Sequence, residues 1–156
     1  MKMKGNRILF GMIICSALAI IVAAYLVYIY YMADVTGICQ PGTKFDCNSV
    51  SQSRYGLMFG LPVSLFGLTF YTVFFLLGLA LYKGLELRHI HKSLSRNHTF
   101  WLMFLIPLFG TAFSLRLSYI EAMVLKAWCP FCVIQQFIVF IMLILSLSML
   151  RHRHQI

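Results

Sequence analysis

Four apolar runs, each about as long as a bilayer core is thick, leave this chain few possible folds. They lie at about residues 8–32, 61–82, 100–119 and 129–150. A hydrocarbon core of ~30 Å takes about 20 residues of helix at 1.5 Å per residue. Lipid offers the backbone no hydrogen-bond partner, so runs of this length cross as helices that satisfy their own N–H and C=O groups. Too few residues remain outside them for a soluble domain. The expectation is an all-α integral membrane protein in which residues 1–156 form a single bundle of four transmembrane helices. The balance of residues agrees, with 61% of the 156 hydrophobic and 11% charged, far from a soluble domain of this size.

The net charge of +9 would suit a nucleic-acid partner if it were clustered on one face, but it is distributed by topology. Lys2, Lys4 and Arg7 precede the first run. Lys83, Arg88, Lys92 and Arg96 join the second to the third, and Arg151 and Arg153 follow the fourth. The opposite connections hold only Lys44, Arg54 and Lys126, with the acids Asp34, Asp46 and Glu121. The positive-inside rule puts both termini, with His89 and His154, in the cytoplasm. Cys39, Cys47, Cys129 and Cys132 then face the periplasm across the inner membrane, where disulfides persist. Cys15 lies within the first run and reads as packing. The basic start followed by an apolar run is too long for a cleaved signal, so the first helix is expected to be retained.

One substantial extramembrane segment interrupts the apolar pattern, from Ala33 to Gly60. Cys39 and Cys47 flank Pro41-Gly42, a turn pair able to bring two sulfurs together. Asn48 to Tyr55 reads as a short interfacial helix capped by Asp46 or Asn48. The second run is strongly aromatic, through Phe66, Phe70, Tyr71, Phe74 and Phe75, and suits packing, lipid or a planar ligand. Pro107 and Gly110 can kink the third. Arg116 should snorkel from its outer end, and a short loop through Glu121 and Lys126 follows. His89, His91 and His98 have no thiol or acidic partner in their connection and read as a headgroup-facing loop rather than a metal site.

At the mouth of the fourth run stands Trp128-Cys129-Pro130-Phe131-Cys132. Positions i and i+3 share a helix face, so these two sulfurs can bond. With Cys129 near the N-cap, Pro130 falls at the first helical position, where its missing N–H costs nothing. Cys132 then lies in the first turn, where unpaired N–H groups and the helix dipole favour a thiolate. A loop pair and a helix-mouth pair on one membrane face suggest relayed thiol–disulfide exchange. A lipid-soluble quinone is the natural acceptor for electrons arriving there, its ring docking among aromatic side chains. Two alternatives remain: a zinc site built from four cysteines, and a structural four-span protein with two passive disulfides.

These residues carry a resemblance. The Cys39/Cys47 spacing, the stretch Gln52-Ser53-Arg54-Tyr55-Gly56, the run from Gly60 to Tyr71 and the motif Cys129-Pro130-Phe131-Cys132 occur in one order that resembles the vitamin K epoxide reductase family, in its small bacterial-type form without a fused thioredoxin domain. The resemblance implies a membrane thiol–quinone oxidoreductase that reoxidises a periplasmic thioredoxin-like protein and so supports disulfide formation. Cys39 would receive the electrons, and Cys47 would attack Cys129. Cys132 would adjoin a quinone of the ubiquinone or menaquinone type, with no metal. Ser53 would support a quinone oxygen or the reactive sulfur, while Val50, Tyr55, Phe59 and Phe66 would wall the ring. Epoxide-reducing members bind the vitamin through an asparagine and a tyrosine. Here those positions match Val63 and Gln136, which favours quinone over epoxide, the Gln136 amide donating to a quinone carbonyl.

Overall fold

The computed structural model describes residues 2–32, 47–84 and 96–152. Cys39, the Pro41-Gly42 turn, Asp46, His89 and His154 lie outside them. Among the described residues, four helical stretches are long and apolar enough to cross a membrane: Asn6–Met32, Val63–Tyr82, His98–Leu125 and Pro130–Arg151. They belong to α1 (Lys2–Met32), α3 (Val63–Tyr82), α4 (Arg96–Ile120) with its continuation, and α5 (Pro130–His152), while α2 (Cys47–Gln52) is a short helix outside the spans. The third span is longer than the sequence suggested. Instead of a loop at Glu121, α4 runs on into a π-helical turn, Glu121–Leu125, which ends at Lys126 in the left-handed region (φ 52°).

Helix α1 packs against both α3 and α5, and α4 packs against α5. The reason is legible along α1, where Leu9, Met12, Ser16, Ala19, Ala23, Leu26 and Ile29 are buried at steps of three or four, one continuous stripe of a helix. The small residues in the middle of that stripe let neighbouring backbones approach closely. Other close approaches use glycine. A Cβ at Gly110 of α4 would come within 3.0 Å of Val139 on α5, and one at Gly78 of α3 within 3.3 Å of Ile13 on α1. Three buried hydroxyls are satisfied within their own helices. Ser16 donates to the Ile13 carbonyl at 2.9 Å, Ser146 to Leu143 at 2.8 Å, and Thr111 to Pro107 at 2.7 Å. Hydrocarbon offers no water to replace these bonds.

The core divides in two along α1. A large cluster joins Leu9 and Met12 to Phe74, Phe100, Met103, Met142 and Met149. A smaller one joins Leu26 to Cys47, Val50 and Cys129. Met12 and Leu26 are 14 residues apart, hence about 21 Å along the helix. The first cluster holds the bundle together at one end, and the second sits where the extramembrane segment meets it.

Between α2 and α3 the chain makes a hairpin that sequence reading missed. Strands β1 (Leu57–Met58) and β2 (Leu61–Pro62) pair antiparallel, Leu57 opposite Pro62 and Met58 opposite Leu61. The two turn residues both have positive φ, 54° at Phe59 and 80° at Gly60, as the tightest hairpins require to match strand twist. Helix α3 therefore begins at Val63, two residues later than expected. The turn behind the hairpin is held by Ser53. Its hydroxyl donates to the Val50 carbonyl at 2.7 Å and accepts the Gly56 N–H at 3.1 Å, while the Gly56 carbonyl accepts the Val63 N–H at 2.9 Å. A Cβ at Gly56 would strike the Ser51 carbonyl oxygen and come within 2.6 Å of that of Val50. Gly56→Ala should therefore lower stability by ~1–3 kcal/mol, read as a lower unfolding midpoint of the detergent-solubilised protein. An unchanged midpoint would mean that this turn bears no load.

Candidate functional site

The CxxC motif opens α5 with its atoms arranged as a helix cap. Pro130 is the first helical residue, so Cys129 is the N-cap and Cys132 the third residue of the helix. The Cys132 N–H points at the Cys129 sulfur at 3.3 Å, and the Val133 N–H makes the first regular bond to the Cys129 carbonyl at 3.1 Å. In a capping box the N-cap side chain accepts the N–H of the third residue, and that residue's own acidic side chain reaches back to the N-cap N–H. Here the third residue is a cysteine and cannot reciprocate. Glu121 does so from the π-helical turn, its Oε2 accepting the Cys129 N–H at 3.1 Å. The N-terminal N–H of Cys132 thus goes to the Cys129 sulfur, whereas sequence reading aimed the helix end at Cys132.

Glu121, expected in an outer loop, is instead part of the site. It is only 3% exposed, and its carboxyl also reaches the Cys132 side chain. A wide π turn is often found at functional sites in long helices, and here it carries the carboxyl to the motif. The available signal was a lone acid in an apolar stretch, eight residues before Cys129. Tyr71 of α3, one of the aromatics of the second run, lines the same cavity as Cys132.

Cys47 and Cys129 are both fully buried and share one cluster with Leu26 and Val50, against which Phe131 and Cys132 pack. On α2, Cys47 and Val50 are three residues apart and so face inward together. Tyr25 of α1 meets Phe131 edge to face at 4.9 Å between centroids, closing the cluster from another side. Cys47 is held in a disulfide, whereas Cys129 and Cys132 carry free thiols.

A cavity of about 410 Å³ opens beside the motif, within the ~300–1,000 Å³ of small-molecule sites. Phe66, Phe70, Tyr71 and Phe113 contribute aromatic walls, and Cys132 and Glu121 reach its surface. Of the residues expected to surround a ring, Val50, Ser53, Tyr55 and Phe66 line this cavity, as does Val63. Two do not. Phe59 stands at the hairpin tip, 90% exposed. Gln136 turns its amide oxygen to the Ser118 hydroxyl of α4, and the glutamine on the cavity wall is Gln135, which donates to the Ala19 carbonyl of α1 at 3.0 Å. The Ser53 hydroxyl proton is likewise committed to the Val50 carbonyl, so this serine shapes the wall rather than offering it a donor. A flat, apolar ring with polar edges suits these walls. Among the described residues, no set of three or more His, Cys, Asp or Glu side chains is arranged to hold a metal ion.

No curated protein matches the chain. The Vitamin K epoxide reductase family matches it over residues 10–147, a stretch that takes in almost all of the first span, α2, the hairpin, the CxxC motif and most of α5. The paired cysteines beside an aromatic cavity in a four-span bundle are thus those of a member of the vitamin K epoxide reductase family, a membrane oxidoreductase of the thiol–quinone kind.

Proposed function

We propose that this protein reoxidises a periplasmic thioredoxin-like protein and passes the electrons to a membrane quinone of the ubiquinone or menaquinone type, so sustaining disulfide formation in secreted proteins. The observation that carries the proposal is the joint burial of Cys47 and Cys129 in one cluster, with Cys132 opening onto the aromatic cavity. Both termini lie in the cytoplasm of an inner-membrane bundle, and all four cysteines face the periplasm.

In this relay Cys39 takes the electrons by exchange with the partner's dithiol, which is released as a disulfide. Cys47, freed as a thiolate, attacks the Cys129 sulfur of an oxidised CxxC, and Cys132 leaves with the electron pair. Cys39 then attacks Cys47, restoring the loop disulfide and leaving the CxxC as a dithiol. The buried cluster favours this order, since Cys47 lies with Cys129 while Cys132 is turned to the cavity. A bound quinone supplies the two-electron sink. Phe66, Phe70 and Phe113 hold its ring, and Tyr55 and Ser53 complete the wall on the extramembrane side.

Cys132→Ser removes the thiol that would re-form the CxxC bond, and should accumulate a Cys47–Cys129 disulfide identified by non-reducing peptide mapping. A Cys39–Cys129 bond would reverse the roles of the loop cysteines, and no trapped species would favour two passive disulfides. In intact reduced cells, a membrane-impermeant thiol reagent should label Cys39, and labelling only after lysis would refute the assigned topology. Gln136 joins helices rather than walling the cavity. Gln136→Leu should therefore cost ~0.6 kcal/mol of stability, the average for hydrogen bonds between membrane helices, and leave quinone reduction at the native rate. Slower quinone reduction in a stably folded Gln136→Leu protein would return this residue to the quinone pocket.

A further inference from the structure

The relay described above moves electrons but leaves two protons without a route. Oxidising Cys129 and Cys132 to a disulfide breaks two S–H bonds and forms one S–S bond. Reducing a quinone to hydroquinone forms two O–H bonds with the same two electrons. The protons have to travel from the sulfurs to the quinone oxygens through a cavity walled mainly by apolar side chains. Among the described residues, the Glu121 carboxyl reaches both the Cys132 side chain and the cavity surface, and the relay does not use it.

We propose that Glu121 is the proton acceptor of the quinone half-reaction. This rests on the thiol–quinone reading. The carboxyl is buried, and buried acids are kept for a partner or a task. Its partners are the Cys129 N–H at 3.1 Å and the Cys132 side chain. Tyr71 on α3 lines the same cavity as this thiol. The cations of its own stretch, Arg116 and Lys126, are exposed to the surroundings. Capping the Cys129 N–H needs only an oxygen, which a glutamine would provide equally well. An acid adds the capacity to take a proton within hydrogen-bonding reach of the group that loses it, which is the geometric requirement for a general base.

The steps balance. Glu121 as carboxylate accepts the Cys132 S–H proton while the sulfur's electron pair goes to the quinone. It hands that proton to a quinone oxygen across the cavity it lines, and returns to carboxylate. The Cys129 proton follows by the same carboxyl as the Cys129 sulfur closes on Cys132. The products are the Cys129–Cys132 disulfide and hydroquinone, with Glu121 unchanged.

Glu121→Gln in the full chain tests this with two readouts. The first needs no quinone: the rate at which iodoacetamide alkylates Cys132 in the reduced protein at neutral pH, followed by peptide mass mapping. The amide still accepts the Cys129 N–H, but no negative charge then opposes a thiolate at Cys132, so alkylation should become faster. The second is reduction of a short-chain quinone by the pre-reduced protein, which should slow by ~10²-fold, the lower range for loss of a general base. The opposite signs separate this role from a structural one. Faster alkylation with native quinone reduction overturns the proposal, as does alkylation that is unchanged or slower. Should Glu121→Gln fail to fold, Glu121→Asp keeps the charge but draws the carboxyl back by one methylene, so quinone reduction should slow while alkylation of Cys132 stays close to the native rate, and quinone reduction at the native rate overturns the proposal. A native chain that reduces no quinone overturns the thiol–quinone reading and this proposal with it, whereas an active native chain with an unaffected variant overturns this proposal alone.

Discussion

A helix that begins inside a protein has N-terminal N–H groups with no intrahelical partner, and at a membrane boundary water is a poor substitute. Helix α5 meets this constraint with the atoms of the site itself. Pro130 removes one donor, the Cys129 sulfur accepts the Cys132 N–H, and Glu121 accepts the Cys129 N–H. The position of the CxxC motif, the π turn that aims Glu121, and the left-handed Lys126 that redirects the chain all follow from closing that cap. The bonds that start the helix are therefore also those that hold the CxxC pair.

The other half of the site depends on a different constraint. Cys47 reaches Cys129 only if α2 lies against the end of the bundle, and α2 is six residues long, too short to be stable alone. It is held by the apolar contacts of Cys47 and Val50 on its inner face and by the Ser53 and Gly56 turn behind it. The hairpin then carries the chain into α3. The large cluster around Phe74 and Met103 takes no part in this, lying some 20 Å away along α1, and serves to fix the bundle on which the smaller cluster is built.

Side chains along one helix face divided between structure and chemistry in a way that spacing could not foresee. Gln135 and Gln136 lie three and four residues beyond Cys132, and both positions share its face. One residue turns a helix by about 100°, so the choice between them is made by what stands opposite. Ser118 of α4 takes Gln136, and the Ala19 carbonyl of α1 takes Gln135. Phe59 shows the same limit in a loop, since a two-residue turn sends its middle side chains outward whatever their hydrophobicity.

Lipid and local backbone geometry dictate the features that could be read from the residues alone. The four spans were legible because a bilayer demands about 20 apolar residues of helix, and their ends agreed to within a few residues except at Glu121. The start of α5 was legible because proline is favoured at a first helical position and a CxxC places its sulfurs one turn apart. The tertiary structure decided which groups meet across elements. Cys47 comes to Cys129, Glu121 caps a helix eight residues away, Ser53 spends its hydroxyl on its own turn, and Gln135 rather than Gln136 faces the cavity. Those outcomes depend on partners from distant parts of the chain competing for the same donors and acceptors. No local pattern encodes that competition, because it is settled only when the helices pack.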